Sequence, residues 1–147
     1  MAALARLLVA IVFVAWSGGA RAAPDDGVAG VWLTEEGDAR IAIAACGERV
    51  CGHIVWLEEP LDDDGEEKLD IHNPDEALRA RPIIGLPLLI GFKPDRPGAW
   101  KDGRIYSPRD GKLYKCTMRL DGPDILRVRG YFGIPLFGQT EVWSRVK

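Results

Sequence analysis

The sequence predicts an all-β domain whose short strands follow one another with a single helical interruption. Three observations carry this reading. Short apolar, β-branched runs recur from residue 30 to residue 146. Turn signals separate them, with Asp-Gly repeated at 102–103, 110–111 and 121–122. The run at 112–120 alternates cleanly: Tyr114, Cys116, Met118 and Leu120 face one way, and Lys115, Thr117 and Arg119 the other. A strand with one core face and one wet face requires that pattern. About eight short strands with evenly placed turns is the signature of a sandwich or a barrel.

The elements follow in order. "GVWLTE" (30–35) opens the first strand after Gly27 and Gly30. "ARIAIAAC" (39–46) and "CGHIVWLEE" (51–59) form a hairpin. "HIVWL" (53–57) is apolar on both faces, so its outer side needs a cover, and the 73–92 segment is the nearest candidate. "LDDDGEEKLD" (61–70) is a solvated acidic loop. "NPDEALRA" (73–80) starts a helix of about two turns: Asn73 is the N-cap, Pro74 takes the first helical position, and Asp75 and Glu76 sit in the first turn. Pro82 ends it. "LPLLIGF" (86–92) is another strand, and "RIYS" (104–107), "KLYKCTMRL" (112–120), "ILRVRGYF" (125–132) and "QTEVWSRV" (139–146) complete a meander.

Residues 1–22 read as a secretory signal peptide. Arg6 is the positive end, "LLVAIVFVAW" (7–16) is the apolar run, and Ala20-Arg21-Ala22 supplies an A-x-A cleavage pattern. The apolar run is short for a bilayer span. Cleavage would leave one domain, residues 23–147, and would move the formal charge from −3 to −5 by removing Arg6 and Arg21. That balance argues against nucleic acid, which needs a basic face, and weakly against anionic membrane surfaces. No stable membrane span is expected after signal removal, because "PIIGLPLLIGF" (82–92) is short and is broken by Pro87 and two glycines. The expected location is exported, periplasmic or secreted.

Cysteine usage agrees with an oxidising compartment. Cys46 and Cys51 flank "GERV" between two strand-like runs, and a tight hairpin would bring them within disulfide reach. The alternative, a metal pair, lacks a second pair at zinc spacing. Cys116 is left over and reads as a buried thiol on a core face.

"GVWLTEEGDARIAIAACGERVCGHIVWLEEP", "DIHNPDEALRARPIIGLPLL", "GRIYSPRDGKLYKC" and "LRVRGYFGIPLFGQTEVWSRV" occur in this order and span nearly all of residues 23–147. Together they resemble the bacterial DUF2147 family, exported proteins with no assigned biochemical role. The resemblance implies an antiparallel barrel of about eight strands, lipocalin- or fatty-acid-binding-protein-like, with one short helix. A looser similarity to lipocalins rests on Gly30-Val31-Trp32, which matches their G-x-W opening, and on Arg145 near the end of the last strand. It implies that Arg145 packs across Trp32 and closes the barrel, a cation–π contact worth roughly 0.5–2 kcal/mol.

Catalytic and metal chemistry find little support. Ser107 precedes a proline and Ser144 lies mid-strand, with no G-x-S-x-G elbow. His53 sits on an apolar strand, and His72 lies beside Asp70 and Asn73 at the helix entry. The acidic loop fails the EF-hand template, because counting back from Gly65 puts Pro60 at the first ligand position. No catalytic residue, metal ligand or cofactor is therefore assigned.

Two regions point to binding. The 70–81 segment carries Asp70, Asn73, Arg79 and Arg81, enough specified chemistry for a clasp on the barrel or a lid over its mouth. Arg129-Gly130-Tyr131 is an R-x-Y, similar to the motif that holds the fatty-acid head group in fatty-acid-binding proteins. On a strand its two side chains share a face and can grip one carboxylate. Arg127 reads as a solvated strand residue, and the direction of Arg129 decides between a ligand-binding barrel and a filled one. The expected function is binding of a small amphipathic or anionic molecule, with Arg129, Tyr131, Arg127, Trp100 and Tyr106 as contacts. The alternative is a cell-envelope structural or interaction module with a filled barrel and a partner surface on "YFGIPLFG" (131–138); a hydrolase is the remaining reading.

Overall fold

The computed structural model describes residues 18–147; the apolar run of the expected signal peptide lies outside the described residues. Eight antiparallel strands close into a barrel in sequence order. They are β1 (Gly30–Leu33), β2 (Ala39–Cys46), β3 (Arg49–Leu57), β4 (Pro87–Arg96), β5 (Ala99–Ser107), β6 (Lys112–Leu120), β7 (Ile125–Tyr131) and β8 (Gly138–Arg145). The up-and-down order gives the barrel two ends. The upper rim carries the β1–β2, β3–β4, β5–β6 and β7–β8 connections. The base carries the other three turns and the outer ends of β1 and β8. Among the described residues, no helix is long and apolar enough to cross a membrane.

Large side chains pack the interior. Trp32, Phe92, Trp143, Ile41, Leu89, Met118 and Leu126 are at most 2 % exposed and belong to one cluster. Alternation along β6 follows the sequence pattern, with Cys116 and Met118 inside and Thr117 and Arg119 outside.

The first of these Asp-Gly pairs departs from expectation. Asp102-Gly103 is not a hairpin turn; it lies inside β5, where the register shifts between Trp100 and Gly103 and Asp102 takes φ 55°. Glycine is required at 103 because the Phe92 ring occupies the space that a Cβ would need. The strand therefore starts at Ala99 rather than at 104.

The helix is shorter than the sequence pattern suggests. Glu76–Leu78 makes one 3₁₀ turn, and its N-cap is Asp75, whose side chain accepts from the Ala77 amide. Asn73 acts one step earlier, its Oδ1 accepting from the Asp75 N–H. The chain cannot continue helically, because Arg81 must return to pair its carbonyl with the Asp70 N–H, and Ile83 must donate to the Lys68 carbonyl.

The expected cover over β3 is also absent. Val55 is 45 % exposed at a bulge, and the outer side of Trp56 is stacked by the Arg40 guanidinium at 4.6 Å.

Cys46 and Cys51 form a disulfide with Cα atoms 5.8 Å apart. They are diagonal neighbours rather than directly opposed, since Cys46 pairs with Arg49 and Cys51 with Ala44. So short a closed loop stabilises by about 2 kcal/mol in the chain-entropy picture.

Candidate functional site

At the base, Trp32 is fully buried and its indole N–H donates to the Val28 carbonyl at 2.9 Å. The Arg145 guanidinium lies over the Trp32 ring at 4.3 Å. Its three nitrogens donate to the carbonyls of Ala29, Gly27 and Pro123 at 2.8, 2.6 and 2.9 Å. One arginine thus ties the segment before β1 and the β6–β7 turn to the last strand. Gly30 fits here for two reasons: its φ is +137°, and a Cβ would stand 2.7 Å from an Arg145 nitrogen.

On the outer wall, Asp70 organises the β3–β4 connection. Gly103 and Ile105 face inward, so Tyr106 faces outward, and it is covered by the connection. The Asp70 carboxylate is fully buried. It accepts from Tyr106 OH at 2.6 Å, from Asn73 Nδ2 at 2.8 Å and from Arg81 Nε at 2.9 Å, and it pairs with a second Arg81 nitrogen at 2.9 Å. Burial pushes this carboxyl up. The hydrogen bonds from Tyr106, Asn73 and Arg81, with the Arg81 charge, outweigh burial and hold it below the usual carboxylate range. Arg79 joins by donating to the Asn73 carbonyl at 2.7 Å. The His72 side chain is exposed, while its carbonyl abuts Gly111 so closely that any Cβ there would collide. Pro87, Ile90, Leu113, Leu78 and Tyr106 line an apolar cleft of about 340 Å³ beside these residues.

The strand that carries the R-x-Y sends it outward. Leu126 and Val128 are 0 % and 2 % exposed inside the barrel, so the two-residue period places Arg127, Arg129 and Tyr131 outside. This corrects the inward grip that a fatty-acid-binding-protein-like motif would need. Of the five expected contacts, Arg127, Arg129 and Trp100 border one outer cleft, while Tyr106 and Tyr131 lie elsewhere. Trp100 is buried near the base, its indole donating to the Pro24 carbonyl at 2.7 Å. Tyr106 lies under the β3–β4 connection, and Tyr131 sits on the outer wall opposite Lys115.

Arg127 and Arg129 do share a site. With Arg96, Lys101 and Arg119 they line an outer cleft of about 320 Å³, joined by Asp95, Thr117 and Thr140. Lys101 pairs with Asp95 at 3.0 Å, Arg127 with Asp121 at 3.0 Å, and Arg129 donates to Thr140 Oγ1 at 2.9 Å. Arg119 stands directly opposite Arg127 in the β6–β7 register. Like charges directly opposed on a sheet are unfavourable unless an anion lies between them. Sequence reasoning placed Arg119 outside but missed this juxtaposition, because strand register is not written in either strand alone.

Arg109 was also missed. From the β5–β6 turn it pairs with Glu36 and Asp38 of the β1–β2 turn, both at 2.7 Å. These turns lie on opposite sides of the ring of strands, so the contact spans the upper rim.

Cys116 is unsuited to attack. Its thiol is pushed up to about 12 by burial and then by the Glu141 charge. Native protein treated with iodoacetamide at pH 8 should leave Cys116 unlabelled, and denatured protein should label fully. Rapid native labelling, read by mass spectrometry, would contradict the packing described.

The family model described as "Uncharacterized protein conserved in bacteria (DUF2147)" matches residues 30–145, from the first residue of β1 to the last of β8. The chain belongs to the DUF2147 family. The match takes in the Trp32–Arg145 closure and the Asp70 cluster, so both lie within the DUF2147 unit. A solved structure of protein HP1028 from the human pathogen Helicobacter pylori, described as belonging to the lipocalin family, is similar with a TM-score of 0.70 at 20 % identity. The similarity covers 86 % of this chain and 84 % of that one. At that identity the likeness is one of fold, and the DUF2147 barrel described here is lipocalin-like. No curated protein matches this sequence.

Proposed function

We propose that this DUF2147 protein is an exported, non-enzymatic binding protein that takes a small anionic molecule on the outer wall of a filled barrel. The observation that carries the reading is the outer cleft, where five cationic side chains gather around two threonines on a chain of net charge −3. Two carboxylates neutralise part of that charge through Lys101 and Arg127. Arg119 stands directly opposite Arg127, and Arg96 borders the same cleft. Guanidinium groups so arranged suit phosphate, sulfate or carboxylate oxygens. The disulfide and the N-terminal apolar run support export.

Calorimetric titration with inorganic pyrophosphate tests this at low ionic strength. Binding should weaken as salt is raised. The double variant Arg119→Glu/Arg127→Glu should lose at least about ten-fold in affinity, the value of one charge-assisted contact of about 1.5 kcal/mol. Unchanged affinity in a variant that still melts cooperatively would place the anion elsewhere.

The exposed "YFGIPLFG" segment favours a second reading, an envelope interaction module, because a filled interior leaves the outer surface to do the binding.

A further inference from the structure

The β7–β8 connection holds the three most exposed large apolar side chains described, Leu136, Phe137 and Phe132, with Ile134 beside them. Phe132, Ile134, Leu136 and Phe137 are 64, 53, 78 and 73 % exposed, four within six residues. Isolated exposed apolar residues are ordinary, but a contiguous group marks a contact surface. The backbone beneath them is well paired: β7 and β8 stay in register up to Tyr131 and Gly138. Gly133 turns the chain at φ +74°, and Pro135–Phe137 forms a 3₁₀ turn with the Phe137 N–H bonded to the Ile134 carbonyl. Phe132 meets the Tyr114 ring edge-on at 5.6 Å. The result is a supported apolar point projecting from the upper rim.

Its surroundings indicate what it meets. A convex, narrow hairpin tip presents little flat area to a folded protein, whereas a bilayer interface accepts an apolar tip. The base of the hairpin is cationic. Lys115 stands opposite Tyr131 on the outer wall, and the Arg129 guanidinium lies against Gly138. The outer cleft with Arg119 and Arg127 continues down the same strands. Tyrosine suits the headgroup level, with an apolar ring and a polar tip. The acidic 61–70 loop belongs to the β3–β4 connection, half the ring away, where it does not oppose an anionic surface at the β7–β8 tip.

We infer that the β7–β8 tip docks this protein onto an anionic phospholipid bilayer, with Phe132, Ile134, Leu136 and Phe137 in the interfacial layer and Lys115 and Arg129 at the lipid phosphates. This goes beyond binding of a small anion: the apolar tip and Lys115 take no part in the outer cleft, and Arg129 is shared between the two.

Vesicle co-sedimentation tests it with the purified protein. Vesicles of phosphatidylcholine containing phosphatidylglycerol should bind the protein at least ten-fold better than phosphatidylcholine alone. Leu136→Ser/Phe137→Ser should lose ten-fold or more in binding without lowering the melting temperature, because both residues lie outside the core. Lys115→Glu/Arg129→Glu should abolish the preference for phosphatidylglycerol. A polarity-sensitive dye on Leu136→Cys should shift to the blue on vesicles, and the same dye on Glu67→Cys should not. Absence of vesicle binding, or binding that survives the Leu136/Phe137 substitutions, overturns the inference. A tip variant that changes only self-association, read by sedimentation velocity without vesicles, also overturns it in favour of a second copy of the chain. Pyrophosphate titration is done without lipid, so it stands or falls independently.

Discussion

Asp70→Ala should lower the unfolding free energy by about 3–5 kcal/mol, the cost of breaking a buried ion pair from one side. The size follows from what is left behind. Tyr106 OH, Asn73 Nδ2 and the Arg81 guanidinium all donate to this one carboxylate, and no water-accessible route replaces it, since Asp70 is fully buried. For a domain of this size the melting temperature should fall by roughly 10 °C or more. Asp70→Asn should recover part of the loss, because it keeps the shape and one acceptor but not the charge. The pH dependence separates charge from shape. The folded carboxyl titrates below its unfolded value of about 4. Its stabilisation is therefore complete above that value and is lost as the pH falls through the lower folded one. The stability gap between wild type and Asp70→Asn should be constant at neutral pH and should narrow below about pH 4. Urea unfolding at pH 7 and pH 3 measures both. A loss under about 1 kcal/mol for Asp70→Ala would mean that the connection is held by its backbone bonds and not by this cluster.

Arg145→Ala should cost about 3 kcal/mol: roughly 1–2 from the ring contact with Trp32 and the remainder from hydrogen bonds to three carbonyls. The seam it closes is thin. β1 and β8 share only the pairs Trp32–Arg145 and Leu33–Ser144. Without the guanidinium, that seam should open before the rest of the barrel. Hydrogen exchange should accelerate first in 30–33 and 143–145, while β5 and β6 keep their protection. Arg145→Lys should restore less than half of the loss, because an ammonium cannot reach three diverging carbonyls or stack as a plane. Full restoration by lysine would show that charge alone closes the barrel.

Most of the fold was legible because strand alternation is a local property. The apolar face of 112–120 and the turns at 110–111 and 121–122 are set by neighbouring residues, and they appear where the pattern puts them. Asp102-Gly103 misled because the same dipeptide serves a turn and a bulge. Only the Phe92 ring, eleven positions earlier in the chain, explains the glycine. The helix misled for a similar reason: local signals put its cap at Asn73, whereas the turn is capped by Asp75, and the bond from the Asp70 N–H to the Arg81 carbonyl stopped it after one turn.

The site divides the same way. The clasp residues Asp70, Asn73, Arg79 and Arg81 stood out as a dense polar group, and in the structure they meet. Their partner Tyr106 lies 36 residues away from Asp70, on a strand whose outward face only register reveals. Arg127 and Arg129 were visible as basic residues on a strand, but not as part of a cleft with Arg96, Lys101 and Arg119.

By itself, the sequence determined the strand count, the alternation and the disulfide partners, which depend on period, spacing and a few residue types. The pair that joins the first strand to the last, Trp32 and Arg145, was what the resemblance to lipocalins implied. The tertiary structure alone decided which way Arg129 points, which large side chains pack the interior and which cations share one cleft. Those depend on closure, which fixes register and occupies the interior with Trp32, Phe92 and Trp143 from strands far apart in the chain.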